Sequence, residues 1–506
     1  MRFEGRVAAR DIFIGLDATP TDFTTAAGEL VAAYRGTAAD PAPFGGRDAE
    51  LTQLTRWLSD PAAPGNFLIT APAGRGKTSL VVRWLDSLGA RGRVAFLPIS
   101  IRYGTSRSTV FHRALATRLA TLLGEALPAD TAIGYEDRIR DYLARFDDPA
   151  DPCLLVIDGL DEATGRAIDG GILRRRPPPG LRVLVTARQL AGDRGSAEWL
   201  RRLGWTGAAA TIELDKLDRA GIAAALRGVD AGLASLAEDP AVIAELDRLT
   251  EKGDPLLVGL YAGDLARSGR LPAGFGAHDL ARRRPGLANY FTDWIEHQKI
   301  AWREAGREVD QDWLNIVLAV LGCALAPMQL AEIGRVAALV SGQDRIVTLD
   351  TLDPIRRFVA GAAETGGFVL SHPRFALHIQ EDHFRGSDLI PRVRAGFLAW
   401  GEGVVAALNR GELPPGQVPR YLLASYLGHL DEVSPPPLDH YRALVEDGWR
   451  RAWEAAEAGA GTAAPGATET ARSDFAEQVQ ACWRRLLEAA EADQAALRRP
   501  RTGLGG

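Results

Sequence analysis

Residues 66–85 read NFLITAPAGRGKTSLVVRWL, and the order of their chemistry decides the fold. Phe67–Thr70 is a short apolar run of the kind that forms a buried strand. A loop carrying Gly74 and Gly76 follows, then a helix opening at Lys77-Thr78-Ser79 with apolar Leu80, Val81, Val82 and Leu85. This is the arrangement of a P-loop, GxxxxGK[ST], in which backbone N–H groups converge on phosphate. Gly74 and Gly76 permit the required backbone angles and the close approach. Lys77 supplies a point charge for β- and γ-phosphates, Thr78 a hydroxyl for Mg²⁺, and the helix N-terminus its dipole. Ala73, Gly74, Arg75, Gly76, Lys77, Thr78 and Ser79 are therefore expected to hold ATP or ADP. The first glycine of the motif is Ala71 here, a residue small enough to fit. Only 4 of the 59 basic residues are lysine, and keeping one at this position points to a need for its compact ammonium. A glycine turn beside a surface lysine would leave the order of strand, loop and helix unexplained.

At 506 residues the chain is too long for a single core and is expected to hold about three to four domains. A hydrophobic fraction of 46% and a charged fraction of 25% describe an ordinary soluble globular protein. The net charge of −6 argues against a protein whose main task is gripping nucleic acid. Cys153, Cys323 and Cys482 are sparse and far apart, which suggests buried thiols in a reducing cytoplasm. Met1–Leu16 carries charges throughout and builds no signal-peptide core. No apolar run reaches the roughly 18 residues that a membrane span needs.

Residues 1–42 read as a linker or docking segment, with a possible strand at Asp11–Gly15 and a helix near Phe23–Tyr34. Residues 43–213 alternate strands and helices. After the P-loop helix come a strand at Val94–Ile101 and helices at Thr109–Leu123 and Tyr135–Phe146. Strands follow at Cys153–Asp158 and Leu181–Val185, the latter closing in Thr186-Ala187-Arg188. This alternation predicts a doubly wound α/β P-loop domain with nucleotide at the carboxyl ends of its parallel strands. Residues 214–308 read as a helical domain, with helices at Arg219–Leu226, Pro240–Leu249, Pro255–Ala266 and Asn289–Glu304 and a loop over Pro272–Pro285. Residues 309–387 read as a winged helix: helices at Gln311–Ala324, Leu330–Val340 and Thr351–Ala360, then a strand at Gly366–His372. Residues 388–506 are helical, with a flexible break near 459–470 and a last helix over Asp474–Leu497.

The run CLLVIDGLDEA (Cys153–Ala163) carries the other chemistry. Asp158 ends an apolar strand beside the P-loop, where with Thr78 it can hold Mg²⁺ through water. Asp161 and Glu162 follow within reach of an attacking water. Spacing does not separate them as the base, although Asp161 is favoured with Glu162 supporting. A merely polar strand end leaves three acids in five residues unexplained.

LLVIDGLDEA resembles the Walker B segment of NACHT-type ATPases, members of the STAND class of signal-transduction ATPases within the AAA+ relatives. FGGRDAEL resembles their opening motif, whose arginine (here Arg47) sits near the nucleotide. LVTAR resembles the strand carrying a sensor arginine, here Arg188, at the γ-phosphate. GDPLLVGLYAGDL resembles the glycine–proline motif, which makes Pro255 the residue packing on adenine and ribose. GFVLSHPRF resembles the end of the family's winged helix, where a histidine, here His372, contacts the β-phosphate of ADP. The resemblance covers about residues 43–385. Family members usually carry an effector domain in front and a repeat sensor behind, whereas this chain shows at most a stub in front and about 120 helical residues behind. An effector encoded separately, a diverged sensor or a truncated chain would each explain that, and no repeat of 20–50 residues is visible.

The resemblance implies a cytoplasmic ATP/ADP switch: closed with ADP, homo-oligomeric with ATP, hydrolysing slowly, and working in bacterial defence or stress signalling with an effector supplied in trans. The missing apolar span and the acidic charge balance lead us to expect no membrane or nucleic-acid partner. The rival is a DNA-binding ATPase of the replication-initiator or transcription-regulator kind. Its recognition helix, TLDPIRRFVAG, would offer Arg356 and Arg357, but Asp350 and Asp353 lie nearby and spoil a phosphate-facing surface. A scaffold that binds nucleotide without turnover is a third reading, disfavoured by the intact Asp158, Asp161 and Glu162.

Overall fold

The computed structural model describes residues 21–36, 42–89, 93–103, 105–127, 134–163, 172–190, 192–267, 275–304, 306, 309–362, 367–435, 437–458, 475, 476 and 478–490. Two compact units emerge. The first takes the described residues up to Val309 together with His372–Arg374, and the second takes Asp310–Ser371 and those from Phe375 onward.

The first unit is built on five strands: β1 (Asn66–Ala71), β2 (Arg93–Pro98), β3 (Cys153–Asp158), β4 (Leu181–Arg188) and β5 (Ala209–Glu213). All pair in parallel, in the order β2-β3-β4-β1-β5. A parallel sheet must be covered on both faces, and the strand residues sort accordingly. Leu68, Leu155, Ile157, Val183 and Val185 enter one core, while Phe67, Ile69, Leu154, Val156 and Leu184 enter the other. Helix α1 (Thr21–Arg35) contributes to both, with Phe23 and Ala27 in the first and Leu30 and Val31 in the second. Residues read above as part of a linker or docking segment are thus core-forming. Helices α2 (Asp48–Ser59) and α3 (Lys77–Leu88) cover one face through Leu54, Trp57, Leu80, Val82 and Trp84. Helices α4 (Ser108–Leu122) and α5 (Tyr135–Ala144) cover the other through Phe111, Leu115, Leu119 and Ile139.

Strand β4 lies between β1 and β3, and Ala71 is paired with Arg188. The end of β1, the end of β3 at Asp158 and Arg188 therefore share one edge of the sheet. Beyond the sheet come α6 (Ala197–Arg202), α7 (Arg219–Val229), α8 (Ala234–Glu238), α9 (Pro240–Leu249), α10 (Pro255–Arg267), α11 (Ala277–Ala281) and α12 (Leu287–Glu304). Asp218 caps α7 by accepting from Gly221 N, and Asp239 caps α9 with Pro240 at its first position.

The FGG of FGGRDAEL has a packing reason. Gly46 has φ +66°, and a Cβ there would overlap the Cα of Gly221 in α7. Gly46→Ala is expected to lower the thermal midpoint of the first unit by several degrees, since a left-handed alanine alone costs about 1–2 kcal/mol before any overlap. Differential scanning calorimetry checks this, and an unchanged midpoint would mean the loop has room to shift.

Four expectations need correction. β5 is not evident in the sequence, because its first two residues, Ala209 and Ala210, follow Gly207-Ala208 and carry no β-branched signal; its pairing with β1 makes it a strand. β2 ends at Pro98 rather than Ile101, although Ile99 N still donates to Asp158 O at 2.8 Å. The loop over Pro272–Pro285 contains α11, whose Asp279 closes back on Gly276 N at 3.0 Å. The helix expected over Thr351–Ala360 is shorter, as described next.

The second unit opens with α13 (Gln311–Cys323), capped by Asp310 on Trp313 N, and α14 (Leu330–Ser341). One helical turn, α15 (Leu349–Leu352), passes at Pro354 into a 3₁₀ helix over Asp353–Phe358. Proline has no N–H to continue the ladder, and Val359–Ala360 instead begin β6 (Val359–Ala362), antiparallel to β7 (Gly367–Leu370). Then follow α16 (Pro373–His378), whose first two residues belong to the first unit, and α17 (Leu389–Asn409), α18 (Arg420–Asp431), α19 (Leu438–Ala443) and α20 (Asp447–Ala458). The last helix is described at 475, 476 and 478–490. The expected strand at Asp11–Gly15, the break at 459–470 and the end of the last helix lie outside the described residues. Among the described residues, no helix is long and apolar enough to cross a membrane, and the three cysteines are free and buried.

Candidate functional site

The loop between β1 and α3 is wound by two left-handed residues, Gly74 at φ +81° and Gly76 at φ +84°. Successive backbone N–H groups in such a turn make an anion-binding concavity. Ala71 fits the place of the motif's first glycine because it is the last residue of β1, in extended pairing with Arg188, and needs no left-handed angle. Thr78 and Ser79 lie in the first turn of α3, and Lys77 begins it. The Lys77 ammonium donates to the carbonyls of Ala71 and Pro72 at 3.1 and 3.4 Å. Burial pulls its pKa down to about 8, against the opposing pull of Asp161 and Asp158. A cation stripped of water in this way fits an incoming polyphosphate.

Asp158 is 2% exposed and accepts a 2.6 Å hydrogen bond from Thr186 Oγ1. Burial pushes its carboxyl up, opposed by hydrogen bonds from Thr186 and Thr78 and by the Lys77 charge. Asp158 and Thr78 thus meet, as holding Mg²⁺ between them requires. The sequence marks Thr186 only as a strand end. It also accepts from Gly159 N at 2.9 Å, and so fixes the turn after β3.

Asp161, Glu162 and Arg188 form one cluster. The Asp161 carboxylate accepts from the backbone N of Arg188 at 2.7 Å and pairs with its guanidinium. Glu162 accepts from Ile101 N at 2.8 Å and lies 3.1 Å from Arg188 Nη2. Burial pushes the Glu162 carboxyl up, against the pull of Arg188. In this arrangement both acids grip the arginine.

Arg47 is 6% exposed and reaches Glu50, the carbonyl of Asp215 and, at 3.2 Å, the carbonyl of Arg75. Its contact is with the loop's own backbone. Pro255 opens α10 directly after Asp254, which is 2% exposed. Glu251 and Lys252 hold left-handed angles, uncommon for residues with side chains, in the turn that delivers Asp254. Asp254 takes ion pairs from both Arg75 and Arg374. Neither Asp254 nor Arg374 was singled out in the sequence, where they stand far apart with no shared spacing.

His372 lies in the first unit with its ring against Gly74: a Cβ on that glycine would be 3.4 Å from His372 Cε1. Burial first, then Arg374, Arg102, Arg188 and Lys77, push its pKa down to about 3. The ring is neutral, with Nδ1 accepting from Arg374 N at 3.1 Å and its proton on Nε2. The structure thus brings Gly74, Lys77, Asp158, Asp161, Glu162, Arg188 and His372 to one end of the sheet, with Arg47 behind the loop. Among the described residues, no group of three or more His, Cys, Asp or Glu that could hold a metal ion is present.

Residues 43–177 match the AAA ATPase domain family. No curated protein matches the chain. Among solved structures, it is similar to a STAND protein with a tetratricopeptide repeat sensor from Pyrococcus horikoshii, at 16% identity and TM-score 0.38 over 87% of this chain; the chain spans 59% of that protein's length. It is also similar to a Walker-type ATPase of Pyrococcus abyssi, at 12% identity and TM-score 0.34, covering 66% of this chain and 95% of that one. A third is the ORC1 protein of Aeropyrum pernix, solved in complex with DNA, at 18% identity and TM-score 0.33, covering 70% and 96%. With the family match falling on the glycine loop, Lys77 and the acids after β3, the chain carries a P-loop ATPase domain of the AAA+ type.

Proposed function

We propose that the chain is an ATP/ADP-dependent switch of the STAND type, with a NACHT-like nucleotide-binding domain. In this reading residues 43–213 bind nucleotide, 214–308 are the helical domain, 309–387 a winged helix and 388–506 a helical region. Arg47, the loop from Ala73 to Ser79, Pro255 and His372 hold the nucleotide. Thr78 and Asp158 hold Mg²⁺, which when bound neutralises phosphate charge. The observation that carries the reading is that His372–Arg374 cluster with the first unit, beside Gly74 of the phosphate loop. A segment so placed gains or loses contacts according to what the loop holds, and such differential affinity is what a ligand-driven switch requires. A γ-phosphate is a competing anion for Arg188, beside the two carboxylates. By drawing the arginine from Asp161 and Glu162, it frees an acid to orient or deprotonate water.

The switch sits in the cytoplasm, assembles with ATP and works through an effector in trans, in bacterial defence or stress signalling. Its mass in solution tests this. With saturating ADP the protein should run as a single chain, and with Mg²⁺-ATP as a larger assembly. One mass with both nucleotides bound would sink the switch. A DNA-binding ATPase would instead show duplex affinity falling steeply with salt.

A further inference from the structure

Asp254 is nearly inaccessible to water and holds two guanidinium groups. Arg374 Nη1 lies 2.8 Å from each of its carboxylate oxygens, and Arg75 pairs with Oδ2. Its Oδ1 also accepts from Leu257 N at 3.3 Å, so the first turn of α10 fixes the carboxylate. Two cations on one buried anion leave a positive charge in excess. That charge is aimed: a Cβ on Gly74 would lie 3.2 Å from Arg374 Nη1 and 3.3 Å from its Cδ, so the side chain rests on the phosphate loop. A guanidinium is a rigid fork of five N–H donors, and holding one nitrogen orients the others. The neighbouring His372 is neutral and contributes an N–H without a charge. Arg75, Arg47 and Arg188 are each engaged by carboxylates or carbonyls of the same unit.

We propose that Arg374 is a phosphate-contacting residue of the nucleotide site, reading the diphosphate of ADP or ATP from above Gly74, and that Asp254 is its positioning residue. The inference rests on the P-loop reading and adds to it the charged member of the 372–374 segment. Asp254 also ties Arg75, and with it the loop backbone, to the same point, so loop and reader are held in register.

Titration calorimetry with ADP tests it in the full chain. Arg374→Ala should weaken ADP binding about 10- to 100-fold, the range for losing hydrogen bonds to a charged group. Arg374→Lys should recover only part of this, because a point charge lacks the fork. Asp254→Asn should weaken binding by a smaller factor. The double variant Asp254→Asn/Arg374→Ala should lose less than the two single losses combined, since they share the Arg374 guanidinium and Asp254 adds only what it does through Arg75. Lys77→Ala separates the two levels. If it abolishes binding while Arg374→Ala stays within about twofold of wild type, Arg374 is no phosphate contact and the P-loop reading stands. If Lys77→Ala also binds normally, that reading has failed. Should Arg374→Ala lower the melting temperature of the nucleotide-free protein, Arg374→Lys decides the matter: wild-type affinity with the fork gone overturns the proposal.

Discussion

Lys77→Ala is expected to remove measurable ATP and ADP binding while leaving the protein folded. Among the described residues the cations near the loop are already committed, and Arg374, resting on Gly74, is held there by Asp254 rather than free to take the place of Lys77. Arg47 is committed to Glu50 and to two backbone carbonyls, Arg75 to Asp254, and Arg188 to Asp161 and Glu162. The other lysines, Lys216, Lys252 and Lys299, lie outside the loop and its helix. Losing a buried ammonium on phosphate oxygens removes more than one charge-assisted hydrogen bond, and so about 100-fold or more in affinity. Stability should not fall with it. The pKa of Lys77 is lower in the folded protein, at about 8, than its ordinary 10.5. Between about pH 8 and 10 the unfolded chain therefore binds more protons, so this group makes stability rise with pH there. At pH 7 its buried charge opposes folding. The nucleotide-free variant should accordingly melt no lower than wild type. Calorimetry showing the variant binding ATP like wild type would remove the basis of the site.

What could be read from residues alone was what local chemistry enforces. An apolar run, two glycines and Lys77-Thr78 specify strand, left-handed loop and helix within twenty residues, and Cys153–Asp158 is apolar enough to be a buried parallel strand. β5 was not legible, because its alanines are neutral and only pairing with β1 makes them a strand. The 3₁₀ segment at Asp353–Phe358 was read as α-helix, since Pro354 suits the first turn of either. The Arg75–Asp254–Arg374 cluster was invisible for another reason: its members come from three separate segments, and long-range charge pairing leaves no period in the sequence. For Arg188 the resemblance implied a place at the γ-phosphate, and nothing in its local sequence announced the pairing with both acids that the structure shows.

That partnership governs the last expectation. Asp161→Asn with Glu162→Gln should leave Mg²⁺-ATP bound, because Asp158 and Thr78, the residues proposed to hold the metal, are untouched and Thr186 still fixes Asp158. Hydrolysis should fall by about 10²-fold or more, the share that a positioned general base contributes. The single variants should each lose nearly as much as the double, since Asp161, Glu162 and Arg188 act as one unit. Asp161 holds both the backbone N and the guanidinium of Arg188, while Glu162 holds Nη2 and Ile101 N. Either acid alone therefore leaves the arginine or the water misplaced. Amides also grip a guanidinium more weakly than carboxylates do, so the double variant should keep ATP at least as tightly as wild type, with Arg188 released to the γ-phosphate. Single-turnover hydrolysis and ATP titration on the same preparations check both halves. Unchanged turnover would place the base elsewhere, and ATP affinity lost along with turnover would mean that the acids hold the metal.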